Sequence, residues 1–267
     1  MVKNENIKTK GKAIAVVGNF IFLLKHLNSF LIGLEKKGNY NDDVVVLTNN
    51  LSPAWLIKRL VSYPKITIVK LPNVKFPKTT RRIYLSLETN GQPNRFKHKK
   101  FQWFKINLFN EVMKQWKVIL YLDINLTIHH DINGIFNLEP SDCLYAKADG
   151  YPEYAKKLSS QFDNSHYLYK SLKKNYDLDD INYFQTGLLY FDTSIIHKNM
   201  VQEIMDLAIN YPLSVTNEQG IINLLFQSNS YKYRQIPEII DGRLFYYYWM
   251  VKDRKISITK QVVEKYK

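Results

Sequence analysis

Two oxygen-bearing side chains, Asp123 and Asn125, directly follow an apolar stretch that runs from Val118 to Leu122. An unbroken apolar run of this length is typical of a strand that is buried on both faces in the middle of a parallel sheet. Ligands bind at the carboxyl edge of such sheets, and hard divalent cations prefer oxygen ligands. The pair therefore indicates either a cation site at the end of a central strand or two residues that cap the following turn.

The segment from Asp123 to Phe136 resembles the metal-binding signature of the glycogenin-like, retaining glycosyltransferases, which have the GT-A fold. Their signature consists of Asp-x-Asp, an apolar run, an Asp-Ile pair and a closing Phe, and the segment matches it without a gap, with the pair at Asp131 and Ile132. The chain departs from the signature where Asn125 replaces the second Asp. An amide oxygen can still bind a cation, but it lacks the negative charge of a carboxylate.

A second segment, residues 180–192, resembles the family's Tyr-Phe-Asn-Ser/Ala-Gly motif followed by an apolar strand. Gln185 replaces the Asn whose amide touches the donor sugar in the family. Gly187 would let the backbone approach a ligand closely. Upstream, Asp149 matches a short Ala-Asp segment that contacts the same sugar, so the resemblance implies that Asp149 and Gln185 bind the donor.

A third segment, residues 217–223, is close to the family's Asp-Gln-x-x-Leu-Asn motif. The resemblance implies that Glu218 and Gln219 lie beneath the anomeric carbon of the sugar. Taken alone, Thr216 and Gln219 would fit a helix capping box. The position of this segment, third in order after the two other signatures, favours the site.

The same resemblance implies ligand contacts outside these segments. Near the amino terminus, Val17, Asn19 and Phe22 are predicted to bind the nucleotide, with Phe22 stacked on uracil; the alternative for Phe22 is the buried face of the first helix. Lys105 is similar to a lysine that precedes the family's metal signature, and we expect it to face the diphosphate. Lys260 is a candidate for a second phosphate lysine.

Alternating strands and helices are predicted to position these residues. Apolar runs predict strands at 13–17, 43–48 and 66–71, with helices at about 20–37 and 51–61. This alternation implies an α/β fold with a mostly parallel central sheet flanked by helices, and the resemblance implies that it is a single GT-A (Rossmann-like) domain. The chain has no G-x-G-x-x-G or P-loop motif, so neither a dinucleotide site nor an NTPase loop is supported.

Length and composition are those of one globular domain. The 267 residues suffice for a large α/β core, and a hydrophobic content of 45% excludes a disordered chain. Residues 1–12 are predicted to be a flexible end, and residues 151–180 an insertion that lines the acceptor side. The chain has no apolar run of 18 residues and only one cysteine, Cys143, so we expect no transmembrane segment, no intrachain disulfide and a cytoplasmic location.

The formal net charge of +14 calls for anionic partners. A nucleotide sugar needs few of these charges, so we expect contact with acidic acceptors or an anionic surface, mainly through residues 76–100. Aromatic residues interleave with this basic segment, as on nucleic-acid-binding surfaces. The helical spacing of Phe104, Leu108, Val112 and Trp116 instead predicts the buried face of a helix, which disfavours nucleic acid.

The resemblance to the glycogenin-like family implies a transferase that moves a hexose from a UDP-sugar to a hydroxyl of a saccharide or protein acceptor, with retention of anomeric configuration. Mn²⁺ or Mg²⁺ would be held by Asp123 and Asn125. The family's late histidine ligand is missing, since the last histidine is His197, so we expect the cation to bind weakly without the UDP-sugar. The alternative is a non-catalytic GT-A-fold protein that binds a nucleotide sugar or an anionic partner.

Overall fold

The chain forms alternating strands and helices in the computed structural model, which describes residues 10–59, 61–88, 93–149, 156–228, 232–248 and 263–265. The strands are β1 (Lys10–Val17), β2 (Asp43–Asn49), β3 (Ile66–Leu71), β4 (Trp116–Leu122), β5 (Thr127–Ile128), β6 (Cys143–Ala148), β7 (Phe184–Asp192), β8 (Lys232–Gln235), β9 (Ile239–Ile240), β10 (Arg243–Leu244), β11 (Tyr246–Tyr248) and β12 (Val263–Lys265). The α-helices are α1 (Phe20–Lys36), α2 (Ala54–Arg59), α3 (Lys78–Ser86), α4 (Arg95–His98), α5 (Tyr169–Asn175), α6 (Met200–Asn210) and α7 (Glu218–Ser228).

Seven of these strands make the central sheet, in the order β3-β2-β1-β4-β7-β6-β8. β1 pairs in parallel with β2 and β4, β2 with β3, and β6 with β8. β7 is antiparallel to both of its neighbours, β4 and β6. The predicted α/β fold with a mostly parallel central sheet is confirmed.

The central strands are buried on both faces, as their apolar runs predicted. In β1, Ala13 and Ala15 pack into one hydrophobic cluster, whereas Ile14 and Val16 pack into the other. This follows from the alternation of side chains along a strand. Helix α1 covers the second cluster with its apolar stripe, which is Leu23, Leu27, Phe30, Leu31 and Leu34. Both faces of the sheet are therefore covered by hydrophobic clusters, and a ligand would bind at its carboxyl edge.

Two predicted elements have other bounds or another type. β1 begins at Lys10, which pairs with Trp116, so residues 10–12 belong to the sheet and not to a flexible end. The helix predicted from the spacing of Phe104, Leu108, Val112 and Trp116 is instead two 3-10 segments, Lys100–Phe109 and Glu111–Gln115. The extended backbone of Asn110 separates them, and its side chain accepts a hydrogen bond from the backbone of Val112 at 3.0 Å. Trp116 begins β4.

The aromatic residues of the basic segment lie in the core. Phe96 is 4% exposed, Trp103 1% and Phe104 2%. Buried side chains cannot stack on nucleic-acid bases, so these three aromatic residues do not support a nucleic-acid-binding surface. Within the described residues, no helix is both long and apolar enough to cross a lipid bilayer.

Asn223 fastens helix α7 to the start of β7. Its side chain is fully buried, accepts a hydrogen bond from the Phe184 backbone at 2.7 Å and donates one to the Phe184 carbonyl at 2.8 Å. The amide thus pairs with β7 much as a neighbouring strand would. This contact sets where the residues after Phe184 lie relative to the first turn of α7.

We predict that Asn223→Ala lowers the free energy of unfolding by about 2–4 kcal/mol, because it leaves two buried backbone groups of Phe184 without partners. Urea unfolding followed by circular dichroism measures the loss. Gln202→Ala, on the exposed side of α6, is the control and should change the value by no more than about 0.5 kcal/mol. Equal values for the two variants would contradict the fastening role.

Candidate active site at the carboxyl edge of the sheet

A buried lysine joins two of the three sequence signatures. The ammonium of Lys105 lies 3.0 Å from Asp123 Oδ1 and 3.3 Å from Glu218 Oε1. It also donates to the backbone carbonyl of Thr186 at 3.2 Å. An ammonium has three N–H donors, so each can be matched to one of these acceptors. We call Lys105, Asp123 and Glu218 the ion triad.

The ion triad is shielded from water. The side chains of Lys105, Asp123 and Glu218 are 8%, 15% and 1% exposed. Burial by itself lowers the pKa of Lys105, but the two carboxylates outweigh burial and raise the pKa above its ordinary value. Burial raises the pKa of Glu218, and the ammonium of Lys105 opposes this only in part. Lys105 is therefore held as a cation.

Asp123 is fixed by its own strand and by the neighbouring one. Its backbone N–H donates to the carbonyl of Gly187 at 2.8 Å, and the Tyr121 hydroxyl donates to Asp123 Oδ1 at 2.5 Å. The ring centre of Tyr121 also lies 5.6 Å from the Lys105 ammonium. The predicted contact residue Gly187 thus lies directly beside the predicted cation ligand Asp123.

Glu218 and Gln219 begin helix α7, but they face different surroundings. Glu218 accepts a hydrogen bond from the Thr186 hydroxyl at 3.1 Å, and its other oxygen, Oε2, has no hydrogen-bond partner among the described residues. Gln219 accepts from the Thr186 backbone at 3.3 Å and is only partly buried. Glu218 and Gln219 are two of the four predicted catalytic residues, the others being Asp149 and Gln185; Gln219 reaches the surface and Glu218 is enclosed. Whether either one contacts a sugar stays a prediction.

The capping box considered for Thr216 and Gln219 does not form. Thr216 donates its hydroxyl hydrogen to Gln161 Oε1 at 2.8 Å, and Gln219 donates to the same oxygen at 2.8 Å. Gly220, in the next position, lies against the preceding loop, since a Cβ there would come within 2.5 Å of the Ser214 hydroxyl oxygen. The third segment, residues 217–223, is therefore held in place by contacts with Gln161 and Ser214.

Asp149 and Gln185 form a second polar cluster beside the triad. Gln185 donates to Asp149 Oδ1 at 2.8 Å, and the Tyr183 hydroxyl donates to Asp149 Oδ2. Lys156 lies 3.5 Å from Asp149 Oδ2. Asp149 is 6% exposed and Gln185 7%, so the structure brings these two predicted sugar contacts together in a nearly closed, hydrogen-bonded group.

The predicted nucleotide contacts lie at the same edge of the sheet, at the end of β1. Val17 is its last residue, and Asn19 caps helix α1 by accepting a hydrogen bond from the Phe22 backbone at 2.9 Å. Phe22 is 38% exposed, so its assignment to the buried helix face is wrong. Its ring centre lies 4.6 Å from that of His26, and the rest of the ring faces solvent. Lys260 lies outside the described residues.

Asp123 and Asn125 fit a cation that arrives with its own oxygen ligands. Asn125 is exposed, and among the described residues no three His, Cys, Asp or Glu side chains are grouped so as to hold a metal ion. Mg²⁺ is commonly held by one or two carboxylates with substrate phosphates and waters, without a cage made wholly of protein. One carboxylate and one amide oxygen, from Asp123 and Asn125, suit a cation that is also bound by substrate phosphates and water. They do not suit a metal ion that the protein binds tightly by itself.

Several polar residues of the site were missed from the sequence. Tyr121 and Tyr183 each precede a predicted residue by two positions in an extended segment, and residues two apart share a face of a strand, so both could have been found. Gln161 and Lys156 belong to the predicted insertion, and their local sequence gives no signal. The contacts of Gln161 with Gln219 and of Lys156 with Asp149 place the described part of that insertion beside the site.

No protein-family model matches the chain, and a comparison with curated proteins found no match. Solved structures do match. The galactosyltransferase LgtC, in complex with donor and acceptor sugar analogues, has a TM-score of 0.60 at 14% identity over 95% of this chain and 86% of its own. The bifunctional glycosyltransferase WbbM has a TM-score of 0.58 at 15% identity over 96% of this chain and 46% of its own.

The mannosyltransferase Ktr4p from S. cerevisiae, in complex with GDP, has a TM-score of 0.53 at 10% identity over 85% of this chain and 69% of its own. These proteins are GT-A glycosyltransferases, so the chain has the GT-A fold that its sequence predicted. Identities this low establish the shared fold alone. Membership of the glycogenin-like family in particular stays a prediction.

We predict that Lys105→Met lowers the free energy of unfolding by about 3–5 kcal/mol, because it leaves two buried carboxylates without their counter-ion. Adding Glu218→Gln removes one of those charges and should recover at least about 2 kcal/mol. Urea unfolding of the wild type, both single variants and the double variant measures the coupling. Additive losses would show that the two charges do not interact.

Proposed function

We propose that the protein is a glycosyltransferase that moves a hexose from a UDP-sugar to a hydroxyl of a saccharide or protein acceptor. One observation carries this: in a GT-A fold, Lys105 and the strand β7 gather residues of all three signatures at one edge of the sheet. The gathered residues are Asp123, Gln185, Gly187, Glu218 and Gln219. The solved proteins LgtC and Ktr4p, named for galactosyl and mannosyl transfer, support the reaction class.

The chemistry requires positive charge at the diphosphate and polar groups at the sugar. Cleaving the sugar–phosphate bond leaves negative charge on the nucleotide, which cations stabilise. A divalent cation, when bound with the donor through Asp123 and Asn125, would supply that charge. Lys105 neutralises part of the negative charge of Asp123 and Glu218 and holds Asp123 at the end of β4, so it acts as a positioning residue in this arrangement.

On the sugar side, Asp149 and Gln185 would orient the donor through its hydroxyls. Asp149 already accepts hydrogen bonds from Tyr183 and Gln185, which hold its carboxylate in one orientation. Gln219, which is partly open to solvent, offers an amide beside them. A fixed set of donors and acceptors of this kind favours one orientation of the bound sugar.

The resemblance also implies that the transfer retains the anomeric configuration, and the surroundings of the two buried carboxylates bear on how it would do so. A double displacement needs an accessible carboxylate nucleophile beneath the sugar. Glu218 is enclosed by Lys105 and Thr186, and Asp149 is held by Tyr183 and Gln185. This arrangement supports a transfer in which the departing phosphate oxygen takes the proton of the acceptor hydroxyl on the same face.

A non-catalytic nucleotide-sugar-binding protein is the second candidate. Asn125 in place of a carboxylate, and the lack of a histidine after His197, favour it. Such a protein would bind UDP and a UDP-sugar with similar affinity and release no UDP over time. Time-dependent release of UDP separates the two candidates.

Turnover tests the proposal directly. We expect the protein to release UDP from at least one member of a panel of UDP-hexoses, with Mn²⁺ present and an acceptor sugar added, and to release less in chelator. Asp123→Ala should abolish the cation-dependent part, because Asp123 is the carboxylate of the two proposed cation ligands and Asn125 is neutral. Coupled detection of UDP gives the rate, and circular dichroism confirms that the variant is folded. Failure with every donor in the panel, with UDP still bound, would favour the non-catalytic candidate.

Binding of the nucleotide tests the pocket at the end of β1. UDP should raise the melting temperature, because a ligand that binds only the folded state stabilises it. The double variant Asn19→Ala, Phe22→Ala should lose most of that shift, since the exposed ring of Phe22 would no longer stack on uracil. Ile32→Ala, at another exposed position of α1, is the control. Equal shifts with UDP, ADP and GDP would contradict a uridine pocket.

A further inference from the structure

Exposed apolar side chains concentrate on helix α1 and on the start of α2. Ile21 is 76% exposed, Leu24 47%, Leu51 81% and Trp55 67%. The two helices contact each other, and they bury their inner faces in the same hydrophobic cluster through residues such as Leu23 and Ile57. Ile21, Leu24 and Trp55 therefore lie on the outer faces of two contacting helices on one side of the sheet, and Leu51 lies in the turn that leads into α2.

Basic side chains flank these apolar residues. Lys25, Lys58 and Arg59 are exposed on the same two helices, and the acidic residue of α1 and α2 is Glu35, near the far end of α1. The surface is thus apolar and positively charged. We call Ile21, Leu24, Lys25, Leu51, Trp55, Lys58 and Arg59 the apolar–basic surface.

The composition of the surface selects its partner. A second copy of the chain, packed face to face, would bring like charges together at Lys25, Lys58 and Arg59. A nucleic-acid backbone would pair with the charges but leave Ile21 and Leu51 in water. A bilayer with anionic headgroups suits both kinds of residue, because basic side chains meet the lipid phosphates while tryptophan and aliphatic side chains enter the boundary with the acyl chains.

We propose that the apolar–basic surface docks the protein on an anionic lipid bilayer as a peripheral contact. The surface adjoins the candidate site, because α1 begins directly after Asn19 at the end of β1, and β1 is the neighbour of β4, which ends before Asp123. Docking would bring this edge of the sheet close to the headgroup layer. The proposal rests on exposure and charge, so it stands or falls independently of the proposed chemistry.

The 95–100 segment is basic too, but it lacks the apolar half. Its aromatic residue Phe96 is buried, so its exposed charges, among them Lys97, Lys99 and Lys100, can attract lipid headgroups without inserting. This segment belongs to residues 76–100, which the sequence predicted to contribute most to anionic contact. Because the exposed apolar residues lie at α1 and α2, we expect these helices to contribute most instead. The three exposed lysines of the 95–100 segment equal in charge the three basic residues of the apolar–basic surface, so they serve as its control.

Vesicle binding tests the proposal with the full chain. We expect co-sedimentation with vesicles of phosphatidylcholine and phosphatidylserine, and at least tenfold weaker binding to phosphatidylcholine alone. Of the tryptophans that the structure describes, Trp103 and Trp116 are buried, so Trp55 should give a blue shift in fluorescence on binding. Trp55→Phe should remove this shift. Quenching by brominated lipids should report insertion in the wild type.

Two pairs of variants locate the contact. Leu51→Ser with Trp55→Ser should weaken vesicle binding at least tenfold, whereas Ile239→Ser, which changes an exposed apolar residue on β9, should change it less than twofold. Lys25→Gln, Lys58→Gln and Arg59→Gln together should weaken it at least tenfold, since each basic residue near an anionic surface contributes about fivefold. The same change at Lys97, Lys99 and Lys100 should have a smaller effect.

Three results would overturn the proposal: the protein binds neither kind of vesicle, it binds both equally well, or the two triple variants lose the same amount of vesicle binding. Sedimentation velocity supplies the last check. If the wild type is a dimer and Leu51→Ser with Trp55→Ser makes it a monomer, the surface pairs two copies of the chain and does not dock on lipid.

Discussion

The contact on which the site depends is the burial of one ammonium between two carboxylates. Removing Lys105, Asp123 and Glu218 from water costs several kcal/mol for each ion, and only close pairing offsets that cost. The ammonium therefore constrains three separate pieces of the chain at once: the first 3-10 segment, the end of β4 and the start of α7. Two acidic residues from different signatures are held within reach of one cation.

Strand β7 connects the triad to the second polar cluster. It lies between β4 and β6, antiparallel to both, so its first residues reach the edge where β4 and β6 end. Side chains alternate along a strand, and Tyr183 and Gln185 contact Asp149, whereas Thr186 contacts Glu218. The antiparallel insertion of one strand into a parallel sheet is thus what places the middle signature between the other two.

The sheet and most of the candidate site residues could be predicted from the sequence, whereas contacts between distant segments could not. The runs that became β2 and β4 are largely buried on both faces, and such runs can be recognised from their apolar composition. β3 is an edge strand of intermediate burial, and its β-branched residues predicted it. The apolar spacing from Phe104 to Trp116 predicted one helix, but the chain forms two 3-10 segments. Apolar spacing does not show that the backbone of Asn110 is extended and separates them. The pairing of Lys105 with Glu218, and of Gln161 with Gln219, joins positions far apart in the chain, so no local pattern predicts it.

We propose that the charge of Lys105 serves the chemistry of the site as well as its folding. Release of UDP from UDP-hexoses by the double variant Lys105→Met, Glu218→Gln, compared with Glu218→Gln alone, measures this most directly, because the two proteins differ only in the ammonium that positions Asp123. With folding of both confirmed by circular dichroism, we expect UDP release by the double variant to fall at least a hundredfold below that of Glu218→Gln. A folded double variant that releases UDP as fast as Glu218→Gln would contradict this role of Lys105.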